Sequence, residues 1–469
     1  MFSISINNMS AFPSSVNYAA LPRKAMGSRV SKIQVAPRNG STFNDGGSIQ
    51  IQLPSMPNSY INLGNAYLKF KVKCVGGESH IDHSAYSLFN RMTTTSQSAV
   101  LDDITQMNVL YSALLDVGMG SASLRDWGKI CLGSDGRPEQ SHLGCNLVNN
   151  ALKGCALPFY TGLWNSDKML PLDTSDGVVF TWYLETALNS LIAKASGTLP
   201  TGFIIQDVSL HAYVYTLSPE SQSLLDSAVG EMGYSQIFES VAHSSDSKTT
   251  GELTKISTLG FRYSSLSKVL ITQRVSANQG SATQLSISNR SHGNMMECGL
   301  LVGGLPVPER AIANTPGDHD GGDFSEALSE TLLSFGVLGD RFSQLGLNGT
   351  TQDRLTNAAD TDDAFTNHHN RYQVEDGKLA SGKDYDDVKL HNFTGMGSYL
   401  ICIDTDIVKN SLGGNEGGLY SGIDTLGATT QSRIRYSTAS TSALTIDFYG
   451  FYNSILALNP ITRSWEVSN

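Results

Sequence analysis

Val208-Ser-Leu-His-Ala-Tyr-Val-Tyr-Thr-Leu217, followed at once by Ser218-Pro-Glu-Ser-Gln222, is the stretch on which the fold reading turns. Val208, Leu210, Ala212 and Val214 recur every second residue, the period of a strand with one buried face. Ser218 then offers an N-cap, Pro219 suits the first helical position and Glu220 complements the helix dipole. Leu224, Leu225 and Val229 give that helix an apolar face, and Gly230 supplies a stop. The spacing predicts a helix of about three turns. Tyr234-Ser-Gln-Ile-Phe-Glu-Ser-Val241 then opens a second β-rich stretch. One chain with two successive β units joined by a helix points to architecture and assembly rather than to chemistry.

Upstream, the β pattern begins where Ile49, Ile51 and Leu53 alternate with Gln50 and Gln52. Pro54, Pro57, Asn58 and Ser59 break it. In Tyr67-Leu-Lys-Phe-Lys-Val-Lys-Cys74, Leu68, Phe70, Val72 and Cys74 share one face and three lysines the other. A lysine-lined face suits a sheet surface that meets solvent or a partner, and it blunts edge pairing. Ile104, Met107, Leu110, Tyr111, Leu114 and Leu115 recur at helical spacing, which predicts a helix inside a connection. Leu157–Trp164 and Met169–Leu172 follow as apolar stretches. Val178-Val-Phe-Thr-Trp-Tyr-Leu184 is apolar on both faces, as a central strand would be.

In the second stretch, Leu259–Tyr263 and Lys268–Val275 read as strands. Residues 306–395 turn rich in Gly, Asp, Asn and His, with a helical island at Phe324–Leu338. Loops of that length are usually functional. Strands resume at Tyr399–Ile403, Arg433–Tyr436 and Leu444–Phe448, and Asn453–Leu458 runs on towards Trp465–Val467.

The chain has 469 residues, enough for more than one core. Only 16% are charged, below the roughly 25% usual for soluble domains. With 45 glycines, this fits a loop-rich β protein that covers much of its surface in contacts. A net charge of −11 argues against wholesale coating of nucleic acid. Residues 1–44 nevertheless carry Arg23, Lys24, Arg29, Lys32 and Arg38 and no acid. With Pro13, Pro22 and Pro37 and few apolar residues, residues 1–45 read either as a frayed terminus or as an arm that orders only against neighbours or an anionic inner layer.

The six cysteines show no CxxC pair or zinc spacing. Cys74 and Cys402 sit in alternating apolar runs and read as buried free thiols, which favours a reducing compartment. Sequons at Asn8, Asn39, Asn289, Asn348 and Asn392 are matches of a kind expected by chance. The N-terminus carries no signal-peptide pattern. No run of about 18 apolar residues marks a membrane span. These features predict a soluble, non-secreted protein.

Chemistry finds little support. Gly317-Asp-His-Asp-Gly-Gly-Asp323 gathers Asp318, Asp320 and Asp323 as oxygen ligands for calcium, but without the position-12 Glu of an EF-hand, and Asp-Gly runs are common in plain turns. His80, His83, His368 and His369 are candidate metal ligands with no third ligand nearby in sequence, and such pairs in polar loops are expected to be solvated. Asp102-Asp103, Asp362-Asp363 and Asp386-Asp387 are adjacent pairs, which point to opposite faces of a strand. No Gly-x-Ser-x-Gly elbow, Walker motif or Rossmann motif is present. The residues predict no enzyme activity and no cofactor.

Cys155-Ala-Leu-Pro-Phe-Tyr160, Lys168-Met-Leu-Pro-Leu-Asp173 and Val178-Val-Phe-Thr-Trp182 resemble the late strands of the first roll in double jelly-roll major capsid proteins of the adenovirus-hexon-like lineage. Val208–Gln222 is similar to that family's passage into its linker helix, and Tyr234–Val241 and Lys268–Arg274 to strands of its second roll. Ile49–Pro54 with Tyr60–Phe70 is similar to the first strands of small members, in virophages, polinton-like viruses and lipid-containing phages. Tyr420–Thr425 and Ile446–Leu456 resemble the last strands. The likeness runs from about 48 to 467. Phe159-Tyr160 stands where large algal and amphibian virus relatives carry Phe-Trp.

The resemblance implies an all-β protein of two tandem eight-stranded jelly rolls joined by a short helix, with helical and long loop insertions. Its expected divisions are a basic arm at 1–45, a first roll at 46–217, a linker helix at 218–233 and a second roll at 234–469. The insertion at about 306–395 would form a tower. It further implies a viral major capsid protein of a DNA virus, with homotrimers as pseudo-hexameric capsomers tiling an icosahedral shell. Neighbouring capsomers, penton and minor capsid proteins would be partners. The arm (Arg23, Lys24, Arg29, Lys32 and Arg38) would reach an internal membrane or the genome. The location would be the virion capsid, assembled in a host intracellular compartment. The competing readings are a tandem β-sandwich carbohydrate-binding spike or lectin-like protein, and a β-sandwich glycoside hydrolase.

Overall fold

The computed structural model describes residues 28–468 except 97–98, 119–127, 129, 134–142, 167, 173–176, 194–197, 230–233, 316–324, 336–398, 407–421, 439–441 and 459–464. In chain order the first half supplies β1 (Ser28–Val35), β2 (Thr42–Asn44), β3 (Ser48–Gln52), β4 (Ser59–Val75), β5 (Ser79–Asp82), β6 (Phe89–Ser96) and β7 (Ala99–Ile104). Helix α1 (Met107–Gly118) follows, then β8 (Leu143–Leu147), β9 (Lys153–Pro158), β10 (Leu170–Pro171), β11 (Val178–Leu184), β12 (Leu191–Ala193) and β13 (Gly202–Leu217). Helix α2 (Pro219–Val229) leads to β14 (Ser235–Lys248), β15 (Thr254–Leu259), β16 (Leu266–Val275), β17 (Met295–Val302) and β18 (Leu305–Ala313). Helix α3 (Ser325–Ser334), β19 (Leu400–Asp404), β20 (Thr430–Tyr436), β21 (Leu444–Leu458) and β22 (Trp465–Ser468) complete the chain.

Each half builds two facing sheets with one strand plan. In the first, β1-β13-β4 continues into β9 and β10, and the second sheet runs β3-β11-β6-β7. In the second half the orders are β14-β21-β16-β19 and β15-β20-β17-β18. Taking the eight principal strands of each half in chain order, both halves read 1-8-3-6 and 2-7-4-5. That is jelly-roll connectivity, repeated. The halves therefore repeat as topology, although their sequences do not align. The extra strands β12-β5-β8 form a small third sheet beside the first roll.

Local chemistry explains the main elements. Leu68, Phe70, Val72 and Cys74 of β4 are fully buried while Lys69 and Lys71 project outward. β11 lies between β3 and β6 and buries six of its seven residues, as its two-faced apolarity predicts. The Ser218 hydroxyl accepts the Ser221 amide at 3.2 Å, capping α2. One apolar core runs from the first roll into the second and joins Trp164, Phe180 and Trp182 to Val241, Tyr449 and Phe451. A second core lies wholly within the second half.

Several expectations are corrected. β1 and β2 fall inside the stretch read as an arm to residue 45: β1 pairs with β13 from Ser28↔Leu217 to Val35↔Leu210, and β2 adds to the same strand. β1 is mostly exposed, with Ile33 and Val35 at its end packed on the core, so its side chains carry little apolar alternation. The lysine-bearing β4 is an interior strand, flanked by β13 and β9, so its lysines guard no edge. Ile104 ends a strand, and the helix starts only at Met107. β18 falls inside the stretch read as a long loop, and β17 precedes it. The chain at Gly260–Tyr263 leaves β15 as a loop.

Candidate functional site

The polar chemistry of this chain concentrates where the two rolls meet. β5 ends at Asp82, a fully buried carboxylate. It accepts the backbone amides of Ser286 (2.9 Å), Ile287 (2.8 Å) and Ser288 (3.2 Å), and the Ser288 hydroxyl at 2.5 Å. A carboxylate of the first roll thus fills a nest of consecutive amides in the connection between β16 and β17. Burial raises the Asp82 carboxyl above the ordinary carboxylate range, against the pull of those donors.

Beside it, Arg290 donates to Asp116 on α1 and to Ser112 Oγ at 2.9 Å. His83 Nε2 lies 3.2 Å from the other Asp116 oxygen. Arg290, Asp116 and His83 are all almost wholly shielded from solvent, where unpaired charge is costly. Arg274 extends the network: Nε donates to Asp447 at 2.9 Å and a terminal nitrogen to the Ser286 carbonyl at 2.8 Å. His243 Nε2 lies 3.0 Å from Asp447. Burial alone would raise Asp447, but Arg274 and His243 outweigh it and hold the carboxyl below its usual range.

A second crossing point is Asp102 on β7. It accepts the Ser240 hydroxyl from β14 at 2.5 Å and the Leu163 amide at 3.4 Å. Burial pushes its carboxyl up to about 6. Gly162 makes this approach possible: it sits at φ +63°, and a Cβ there would lie 1.8 Å from Asp102 Oδ2. Asp103, the adjacent acid, faces the other way and takes a bidentate bond from Arg91 at 2.7 and 2.6 Å. The two carboxylates therefore serve opposite faces, as adjacent strand positions require.

The outer face of the β1-β13-β4 sheet is basic and aromatic. Lys32 on β1 donates to the Tyr67 hydroxyl at 3.0 Å and lies 5.4 Å from the centre of that ring. Tyr67 stacks on His211 at 5.0 Å. Partial burial lowers the His211 pKa, and the charges of Lys32 and Lys69 lower it further. Lys71 pairs with Asp207 at 2.9 Å on the exposed surface, so this bridge contributes little stability.

The residues singled out from sequence fall into three groups. Arg29 and Lys32 lie on β1, and Arg38 donates to the Gln50 and Gln52 side chains of β3, so these three belong to ordered sheet edges. Arg23 and Lys24 lie outside the described residues, as do Asp318, Asp320, Asp323, His368, His369 and the pairs at 362–363 and 386–387. His80 and His83, expected to be solvated, are buried; His80 Nδ1 meets the Gly144 carbonyl at 3.2 Å. They are drawn in because β5 is sandwiched between β12 and β8. Among the described residues, no group of three or more His, Cys, Asp or Glu side chains is placed to hold a metal ion. All six cysteines are free thiols. The Asp82, Asp116 and Arg290 network escaped the sequence reading, since Arg290 lies 174 positions from Asp116 and Ser288 lies 206 from Asp82.

No protein-family model matches the chain, and no curated protein matches it in sequence. Solved structures do match over almost their whole lengths. The chain is similar to a subunit of the PBCV-1 virus capsid with a TM-score of 0.58 at 10% identity, covering 96% of this chain and 99% of that one. Against the Sputnik virophage structure the TM-score is 0.54 at 9% identity, with 100% and 93% covered. Against the mavirus major capsid protein it is 0.51 at 9% identity, with 100% and 97% covered. The likeness is one of fold: two tandem jelly rolls in a single chain.

Proposed function

We propose that this chain is a viral major capsid protein, the repeated building block of an icosahedral shell. The observation that carries the reading is the full-length match, in both directions, to capsid subunits that share a doubled roll. The physical design agrees with it. Two rolls of identical strand plan, locked by a buried polar junction, form one rigid tile with six-fold potential when three copies meet. Few surface charges suit wide lateral contacts. In this reading three chains close into a pseudo-hexagonal capsomer that abuts neighbouring capsomers, with penton and minor capsid proteins at special positions. Assembly takes place in a host intracellular compartment, and the role is structural rather than enzymatic. Arg23 and Lys24, upstream of the ordered β1, reach an anionic inner layer, either lipid headgroups or genome.

The test is direct. Purified chain is examined by light scattering coupled to size exclusion, and by negative-stain electron microscopy. A homotrimer with a hexagonal outline is the expected result. A monomer that persists at high concentration, and forms no particles when co-expressed with its partner proteins, overturns the reading. Glycan binding by that monomer would point instead to a carbohydrate-binding spike.

A further inference from the structure

Within the chain the two rolls meet through unlike edges. With the eight principal strands of each roll taken in chain order, strand five of the first roll, β7, lies against strand one of the second, β14. The Ser240 hydroxyl on β14 donates to Asp102 on β7. Just beyond β7, the Gln106 carbonyl accepts the Tyr449 hydroxyl of β21 at 3.1 Å. β7 buries Leu101, Asp102 and Ile104, and β14 buries Phe238, Ser240 and Val241.

The two remaining strands of the same rank are open. Strand one of the first roll is β1, an edge that pairs only with β13 among the described residues. Strand five of the second roll is β18, an edge that pairs only with β17 among the described residues. β1 buries no residue and exposes Arg29, Val30 (52%) and Lys32. β18 buries only Ile312 and exposes Leu305 (71%), Pro306 and Glu309. A joint made once inside the chain is thus left half-made at each side of it. Its halves differ, so a second copy can complete it only head to tail. Charge favours that pairing, since β1 brings two bases and no acid, while β18 brings Glu309 and its Arg310 lies 3.5 Å from Glu326 of its own chain. Val30 and Leu305 supply the apolar contact.

We propose that β18 of one chain docks on β1 of a second copy, repeating between chains the β7–β14 joint made within each. This names the two surfaces of the capsomer seam and so rests on the capsid reading above. A contact between unlike faces either closes into a ring or runs on as a filament. Because each chain already makes the same joint internally, the rolls of successive copies turn by like steps and the ring closes.

The experiment alters each half of the seam separately, as Val30→Arg and Leu305→Arg in the full-length protein, and reads mass by light scattering coupled to size exclusion. Both side chains are more than half exposed in the single chain, so circular dichroism is expected to match wild type; Val30→Asp replaces Val30→Arg if that variant misfolds. Each substitution is expected to weaken the seam at least about 100-fold by burying an unpaired charge, leaving monomers where the wild type is a trimer. An equal mixture of the two variants is expected to give dimers and no trimers. In such a dimer the unaltered β18 of the Val30→Arg chain sits on the unaltered β1 of the Leu305→Arg chain, and neither free side can add another copy. A wild-type trimer that survives either substitution, or a mixture that yields no dimer, overturns the seam and leaves the capsid reading standing. A wild type that stays monomeric at high concentration overturns both.

Discussion

Replacing Asp82 by alanine is the sharpest probe of the junction. The change removes one acceptor and strands three amides, those of Ser286, Ile287 and Ser288, in residues that are at most 2% exposed. The Ser288 hydroxyl can rotate to another acceptor, so it is left out of the sum. A buried donor without a partner costs about 1–3 kcal/mol, so three place the gross loss at about 3–9 kcal/mol. The raised pKa of Asp82 shows that desolvation already offsets part of its contribution. A net cost of about 3–5 kcal/mol follows, large against a stability of about 5–15 kcal/mol. The loss falls on the contact between rolls, so its signature is loss of cooperativity as well as a lower midpoint. Guanidinium unfolding at fixed protein concentration reads both, because Trp164 and Trp182 sit in the first core and Trp465 on β22. The wild type is expected to unfold in one transition and Asp82→Ala in two. A variant within about 1 kcal/mol of wild type, with a single transition, refutes the view that Asp82 couples the rolls.

Asp102 should make stability depend on pH. Its folded pKa of about 6 exceeds the unfolded value of about 3.9, so its contribution is fully present below that unfolded value and is lost as pH rises through 6, a change of about 3 kcal/mol. Asp102→Asn should flatten the wild-type profile over that window in unfolding midpoints measured at each pH; parallel profiles would exclude Asp102 as the cause. Asp447 acts with the opposite sign, its contribution being present above the unfolded pKa and lost as the medium is acidified. Arg290→Met should cost about 3–5 kcal/mol by leaving Asp116 charged and buried, and the double variant with Asp116→Leu should recover much of it, as a double-mutant cycle would show. Gly162→Ala should destabilise by about 1–3 kcal/mol in thermal unfolding, because φ +63° is unfavourable for alanine and its Cβ would collide with Asp102.

How far the fold was legible depended on which forces act locally. β4 and β11 announced themselves because burial on one face, or on both, writes a period of two into the side chains. The α2 cap was equally plain, since Ser218, Pro219 and Glu220 act within one turn. β1 was missed because most of its side chains are exposed and just Ile33 and Val35 pack on the core, while its pairing to β13 rests on backbone bonds that any sequence can make. β18 was missed for its prolines: Pro306 and Pro308 argue against a strand, yet among the described residues β18 is an edge that pairs only with β17, where proline is tolerated. The junction was illegible in principle. Asp82 reads as a turn acid and Arg290 as a surface base until the fold brings the connection after β4 against the one after β16.

The longest strands carry one more consequence. β4, β13, β14 and β21 run to 17, 16, 14 and 15 residues, each about 50 Å when extended at about 3.3 Å per residue. Each roll is spanned by strands of nearly equal reach, so these strands act as a ruler. If the chain tiles a shell as proposed and stands upright in it, these strands fix the wall thickness at close to that length and keep the two rolls level. Shortening β13 alone would tilt one roll against its twin. Any change of gauge has to be made in matched strands across both halves at once.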